Sequence, residues 1–351
     1  MRVAVTGGTG FIGGFVVSAL CGAGHVARCL VRPTSDLSRI AHLPFERAVG
    51  DVLDADAVAT LVAGCDAVIH LALSAGWDQM RTPAQLQHLL RTSERGTRNG
   101  LDAARAAGNV RVVFVSSVAV RLVRSLVADA RSPSNPRQAV NCSTTPDRVF
   151  REDSPPEALA GTLGYAAIKR AAEALVREYV REGLPVLVLN PAEVYGANDT
   201  ALVTAGNLKA FLTDPVVLLP RSGGTSICAV EDVAAACVAA LTRGRPGERY
   251  ILGGPNLTVE QLARTTLRLA GGRQPRKPLL RLPGWLLLGA VRALAALRLP
   301  VPVEPGVLAF AVLYWFVDST KASQELGYRQ RSAEDILAPV VAWLRQAGHV
   351  S

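Results

Sequence analysis

Tyr165 and Lys169 stand four residues apart in the run GYAAIKRAAEALVREYVR (164–181), whose apolar positions recur at helical spacing. Side chains at i and i+4 share one helix face, so a phenol and an ammonium are presented side by side. A neighbouring ammonium favours the phenolate and lowers the phenol pKa, which makes Tyr165 a usable proton donor or acceptor near neutral pH. The chain has six tyrosines, and lysine only at 169, 209, 277 and 321, so such a pair arises by chance only about 0.07 times per chain. An exposed helix pair is the plain alternative. Ser116 and Ser117 follow an apolar run, VRVVFV (110–115). A hydroxyl at a strand end there could hydrogen-bond a substrate oxygen, and a Ser-Ser pair is as much at home in a simple turn.

The second cluster with chemical meaning is the opening stretch, MRVAVTGGTGFIGG (1–14). Arg2–Thr6 reads as a buried strand, the glycines as a tight turn, and the chain from Phe11 as a helix. Both Gly8-x-Gly10-x-x-Gly13 and Gly7-x-x-Gly10-x-x-Gly13 fit the dinucleotide fingerprint. Such a turn lets a pyrophosphate approach the backbone, and the helix N-terminus supplies N–H donors and a favourable dipole. The second strand ends at Arg32, nineteen residues after Gly13, where an acid would select NAD and an arginine accommodates the extra phosphate of NADP. Arg32 therefore favours NADP(H) over NAD(H), with a solvated arginine as the alternative; the nearest acid is Asp36. Asp51, after the third strand, is placed to meet the adenine edge or to serve as a helix cap or turn residue.

Positioning these groups takes a repeated strand–helix order. Strands are expected at 2–6, 25–31, 45–50, 66–73, 110–116 and 184–190, alternating with helices at 11–24, 55–63, 84–107 and 164–181. This rhythm predicts an α/β protein with a doubly wound, mostly parallel sheet. Residues 1–190 would form the dinucleotide-binding domain, with 226–253 returning to it. Residues 191–225 and 254–351 would form a smaller, mainly helical cap for the substrate, with helices near 203–213, 258–270, 283–299 and 332–346. The Pro-, Ser- and Asn-rich segment 120–154 reads as a long loop beside the substrate. Helix 283–299, apolar but interrupted by Arg292 and Arg298, reads first as core packing. A hydrophobic substrate or a weak membrane-surface contact is its other use. Trp77 and Trp315 could line the pocket or simply pack.

Composition narrows the classes. The chain has 351 residues, 49% of them apolar, which suffices for a large core. Its net charge of +9 is dispersed, with no basic run bearing interleaved aromatics, which argues against nucleic acid. Six cysteines at 21, 29, 65, 142, 228 and 237 include no C-x-x-C pair and no metal-ligand spacing. They read as buried residues of a reducing compartment. No leader or membrane span is evident, so a soluble cytoplasmic protein is expected.

In order along the chain, TGGTGFIG (6–13), GDVLD (50–54), DAVIHLA (66–72), GTRN (96–99), VVFVSSVAV (112–120), YAAIK (165–169), NPAEVYG (190–196) and VEDVA (230–234) resemble the extended short-chain dehydrogenase/reductases. These include the epimerase/dehydratases. VRPTSD (31–36) and GRPGERYILGG (244–254) are most similar to the dihydroflavonol-reductase-like and hydroxysteroid-dehydrogenase-like branch. The resemblance implies a Rossmann sheet with a C-terminal cap. It assigns catalysis to Ser117, Tyr165 and Lys169. Tyr165 would donate a proton to a carbonyl that receives hydride, while Lys169 would hold the ribose hydroxyls and tune Tyr165. It also implies cofactor contacts from Thr6, Gly7, Gly10, Phe11, Ile12, Gly13, Arg32, Asp51, Val52, Leu71, Tyr165, Lys169 and Pro191. It allows a homodimer through helices flanking the sheet. Three positions depart from the family pattern: Ser93 replaces an Asn, Asn190 an Arg and Ala229 a His.

Three functions compete. The first is an NADP(H)-dependent ketoreductase or alcohol dehydrogenase acting on a bulky, rather apolar small molecule. The second is a nucleotide-sugar epimerase or dehydratase with tightly held NAD. The third is a non-enzymatic NAD(P)-binding sensor. The Ser117, Tyr165 and Lys169 set speaks against the third, and Arg32 with Asn190 leans toward the first.

Overall fold

The central strands are apolar at nearly every position, so each must be covered on both faces. Their side chains alternate accordingly. Val3 and Val5 of the first strand join one apolar layer and Ala4 the other, and Val113 and Val115 likewise part from Val112 and Phe114. The computed structural model describes residues 1–72, 82–123, 146–154, 157–158, 164–271, 277–297 and 305–350. In it β1 (Arg2–Thr6), β2 (Val26–Val31), β3 (Glu46–Val49), β4 (Ala67–His70), β5 (Arg111–Val115), β8 (Val186–Pro191) and β12 (Arg249–Leu252) form one sheet, ordered β12-β8-β5-β4-β1-β2-β3. Every pairing in it is parallel. The two-residue strands β6 (Leu122–Val123) and β7 (Glu157–Ala158) pair with each other elsewhere.

Helices cover both faces. α1 (Phe11–Gly22) and α6 (Val230–Ala239) pack on one, through Val16, Leu20, Val230 and Val233. α2 (Ala55–Val62), α3 (Pro83–Ala106) and α4 (Gly164–Arg181) pack on the other, through Leu61, Leu101 and Leu175. Local chemistry fixes where they begin. The Asp54 carboxylate accepts from the Asp56 and Ala57 amides, and Thr82 and Gln85 form a capping box ahead of Pro83. The fold is thus the doubly wound α/β sheet that the sequence predicts, with β12 as a seventh strand beyond the six expected in 1–190.

The remaining elements are more mixed than the helical cap expected. α5 (Ala205–Thr213), α7 (Val259–Leu269), α8 (Gly284–Ala296), α9 (Pro305–Ala311), α10 (Thr320–Leu326) and α11 (Ala333–Gln346) are interleaved with short strands. β10 (Val217–Pro220) pairs with β14 (Leu279–Leu282). β11 (Gly224–Ala229) pairs with β9 (Glu193–Tyr195), β13 (Asn256–Thr258) and β15 (Tyr314–Trp315). Within the segment 226–253, α6 and β12 therefore join the large sheet's layers, whereas β11 belongs to the small sheet. β9, β13 and β15, of two or three residues, are too short to show an alternation that a single sequence could reveal. Of the long loop, Glu152 ties back to β12 by accepting from the Ile251 amide at 2.8 Å. Residues 124–145, Trp77, Cys142, Arg298 and Leu299 lie outside the described residues. The five described cysteines are free thiols, and no described helix is long and apolar enough to cross a membrane.

Candidate active site

The C-terminal ends of β1, β2, β3, β4, β5 and β8 open onto one cavity of about 1260 Å³, closed on its far side by the cap. This is larger than a typical single-ligand pocket of about 300–1,000 Å³ and gives room for a dinucleotide and a substrate together. The glycine turn forms its floor. Gly7 has φ +75°, and a Cβ there would lie 2.9 Å from the Ala72 nitrogen. A Cβ on Gly13 would collide with the Gly7 carbonyl oxygen, and the Gly10 amide donates to that same oxygen at 3.1 Å. The structure therefore uses the Gly7/Gly10/Gly13 spacing. Gly10 caps α1 without a side chain, which leaves the first-turn amides to an anion. Phe11, Ile12, Gly13, Arg32, Asp51, Val52 and Leu71 all line the cavity.

Two residues implied for the cofactor are not in that wall. Thr6 is fully buried, its hydroxyl paired with His70 Nδ1 at 3.0 Å and accepting from the Ala72 amide at 3.3 Å. It staples β1 to β4. Burial, with Lys169 nearby, lowers the His70 pKa to about 4, so that imidazole stays neutral. Pro191, the last residue of β8, is also buried and off the wall. Asp51 lines the cavity and also closes its own turn, accepting from the Leu53 amide at 2.9 Å; the helix cap is Asp54 instead. Asp36 is occupied by Ser38, through its amide at 2.9 Å and its hydroxyl at 3.0 Å. Ser35, which the sequence reading passed over, joins Arg32 in the wall and accepts from the Arg32 amide at 3.1 Å.

Ser117, Tyr165 and Lys169 meet in this cavity although they come from β5 and α4. The Ser117 hydroxyl hydrogen-bonds the Tyr165 phenol. Lys169 Nζ lies 6.0 Å from the Tyr165 ring centre and donates to the Val115 carbonyl at 3.3 Å. Electrostatics correct one expectation. Burial raises the Tyr165 pKa, and the force opposing it is the Ser117 hydrogen bond rather than the lysine. Lys169 is itself pushed down to about 8 by burial, with Glu173 resisting. Glu173, one turn further along α4 and 2% exposed, accepts from Asn190 Nδ2 at 2.7 Å and pairs with Arg249 at 3.0 Å. Asn190 Nδ2 also donates to the Ser117 carbonyl at 3.0 Å. Asn190 thus ties the serine's backbone to the buried carboxylate behind the lysine. Two buried hydroxyls of the wall, Ser93 Oγ and Ser116 Oγ, have no protein partner among the described residues, as expected of groups that bond a ligand. The turn, the strand-end Arg32 and these hydroxyls fit a nicotinamide dinucleotide.

The cap end differs in character. Its wall is built from Phe211, Leu219, Val291, Leu294, Leu308 and Phe310, with Trp315 stacked on Phe310 at 4.8 Å. α8 divides its apolar residues between two duties. Leu287 and Val291 turn inward against Leu308, whereas Trp285 is 75% exposed. Among the described residues of the whole lining, the only Arg and Lys are Arg32 and Lys169, both at the sheet end. Glu193, Asn207 and Thr225 form a polar spot in the cap-side wall. Sequence reading missed it because its members come from β9, α5 and β11 and share no spacing.

Residues 3–253 match the family described as "NAD dependent epimerase/dehydratase family". The chain is 30% identical to a protein of Synechocystis sp. named "Putative dihydroflavonol 4-reductase", over 99% of this chain and 95% of that one. It is 29% identical to "Sterol demethylase protein B" of Methylococcus capsulatus over the whole of both. Among solved structures it resembles that of gox2253, with TM-score 0.77 and 30% identity, covering 100% of this chain and 99% of the other.

Proposed function

The chain belongs to the NAD dependent epimerase/dehydratase family of extended short-chain oxidoreductases, and from that premise we propose that it is an NADP(H)-dependent ketoreductase for a bulky, largely apolar ketone, or the reverse alcohol dehydrogenase. The observation that carries this reading is the asymmetry of the cavity. Ser117, Tyr165 and Lys169 converge beside the glycine cradle, and the space beyond them is apolar, without a lysine or arginine among the described lining residues. A nucleotide sugar brings two phosphate charges that no described residue of this end neutralises, and burying them unpaired is costly. Reductases that act on a dihydroflavonol, as the name of the Synechocystis relative states, handle a polycyclic, uncharged substrate of the kind this wall suits.

The dinucleotide supplies the hydride when bound. Gly7, Gly10 and Gly13 would let its pyrophosphate reach the α1 amides, and Arg32 with Ser35 would hold the 2′-phosphate that distinguishes NADP. Tyr165 delivers its proton to the carbonyl oxygen as the alkoxide develops, and the Ser117 hydroxyl hydrogen-bonds that oxygen in the same step. Below about pH 8 Lys169 is an ammonium, whose donors would serve ribose hydroxyls, while the Ser117 hydroxyl steadies the phenolate left behind. Apolar cap residues exclude water.

The test is oxidation of NADPH against a panel of arylalkyl and polycyclic ketones, with the purified protein assayed for retained nucleotide. Net NADPH oxidation with an apolar ketone, and little with NADH, is expected. Retained NAD with no net turnover on any ketone overturns the reading in favour of an epimerase or dehydratase.

A further inference from the structure

Glu193 is a carboxylate in the wall of the cap-side cavity with no cationic partner among the described residues. It sits on β9, whose pairing with β11 sets Glu193 opposite Ile227, and it is held by neutral donors only. The Tyr195 hydroxyl donates to Oε1 at 2.8 Å and Asn207 Nδ2 donates to the same oxygen at 3.0 Å. Thr225, whose hydroxyl donates to the Ser226 carbonyl at 3.1 Å, flanks the carboxylate. Tyr195 is fully buried, so the pair is fixed rather than swinging in solvent. Burial pushes the Glu193 pKa up, and its polar neighbours work against that rise.

A carboxylate offers about four acceptor positions, and Tyr195 and Asn207 take two, both on Oε1. Desolvating a carboxylate without a cation is expensive, and an apolar wall would be cheaper there if packing were the only requirement. Asn207, which holds it, and Thr225 line the same cavity. Negative charge in a compartment whose described lining holds no lysine or arginine repels phosphates and carboxylates and attracts hydrogen-bond donors.

Resting on the ketoreductase reading, we propose that Glu193 is the polar anchor of the substrate compartment. It accepts a hydrogen bond from a hydroxyl or ammonium group carried by the otherwise apolar substrate, away from the reacting carbonyl, and it rejects anionic substrates. A site built to receive a donor discriminates strongly against the analogue that lacks it, because the carboxylate is then left short of a partner.

The experiment uses a homologous series of arylalkyl methyl ketones, each as the phenyl, para-hydroxyphenyl and para-carboxyphenyl compound. Turnover with NADPH is measured alongside calorimetric binding to the NADPH-loaded protein. At the chain length that fits best, the hydroxyl compound should exceed the phenyl compound by about tenfold or more in kcat/KM and in affinity. The carboxyl compound should be excluded. Glu193→Gln, with Tm and NADPH affinity as checks of folding, should narrow the hydroxyl preference mainly through KM and admit the carboxyl compound. Equal treatment of the three compounds by the wild-type protein overturns the inference, without need of a folded variant. So does a preference that survives in Glu193→Gln. Absence of NADPH oxidation with every compound defeats the ketoreductase reading instead, and the calorimetric series then still decides whether Glu193 selects donors.

Discussion

At the sheet end of the cavity the wall is backbone and fixed positive charge: a glycine turn too tight for any Cβ, the first amides of α1, Arg32 and the ammonium of Lys169. At the cap end it is largely apolar, with Glu193, Asn207 and Thr225 gathered at one place and Thr204 and Asp214 as further polar residues. The first end is built to accept an anion common to many proteins, so its constraints are geometric. The second, on the proposed reading, takes a bulky apolar molecule, so its constraints are volume and the placing of a few polar groups. Between them stand Ser117 and Tyr165, and the sharpest way to break the comparison is there. On the proposed mechanism Tyr165→Phe removes the proton that the cap-side substrate must receive, and it leaves the glycine cradle, Arg32 and Lys169 in place for the dinucleotide. Turnover should fall by roughly 10²–10⁴, with NADPH affinity, read by fluorescence titration, changed little. Retained turnover would mean that protonation comes from elsewhere and that Tyr165 merely packs on Lys169.

A smaller effect tests the charge at the sheet end. Arg32 is exposed, its carbonyl and amide serve the turn to Ser35, and Asp36 is already satisfied by Ser38. Nothing else in the fold depends on the guanidinium among the described contacts, so Arg32→Glu should leave Tm unchanged. Charge-assisted hydrogen bonds to a phosphate are worth roughly 1.5–3 kcal/mol, so NADPH affinity should drop about tenfold to a hundredfold while NADH changes far less. An equal loss for both would show that Arg32 does not read the 2′-phosphate.

The same contrast explains what the sequence made legible. Gly7, Gly10, Gly13, Arg32 and Tyr165-x-x-x-Lys169 lie at short spacings imposed by one turn, one strand or one helix, so the linear chain carries their geometry. Thr6 shows the limit of that inference: its place in the motif suggests a ligand contact, yet its hydroxyl is committed to His70. Glu193 shows the converse. It became a cavity residue only because β9 pairs with β11 and α5 folds back to bring Asn207, a coincidence of three segments with no periodic signature. The Arg249–Glu173–Asn190 network was hidden for the same reason, since β12, α4 and β8 meet only in the folded sheet.

Lys169 stands at the sheet end, and the smallest expected effect follows from its burial. Its pKa in the folded chain is about 8, against 10.5 ordinarily. A lysine depressed in this way binds its proton less tightly in the folded state than in the unfolded one. Between these two pH values the unfolded chain therefore holds more protons, and stability must rise with pH. Below pH 8 the cost of the buried ammonium is carried in full; above 10.5 it is gone. The buried thiols of Cys29 and Cys237, raised to about 12, act in the opposite direction at higher pH. Comparison with Lys169→Met cancels them, because the methionine keeps the bulk and loses the charge. Relative to that variant, the cofactor-free wild-type protein should gain about 2–5 °C in Tm from pH 7.5 to pH 10. Turnover of the wild-type enzyme should decline over the same interval, as the ammonium that would hold the ribose is lost. A Tm difference that stays flat with pH would place the Lys169 ammonium in a well-solvated or fully compensated site. The pH dependence of turnover would then have to be sought in Tyr165.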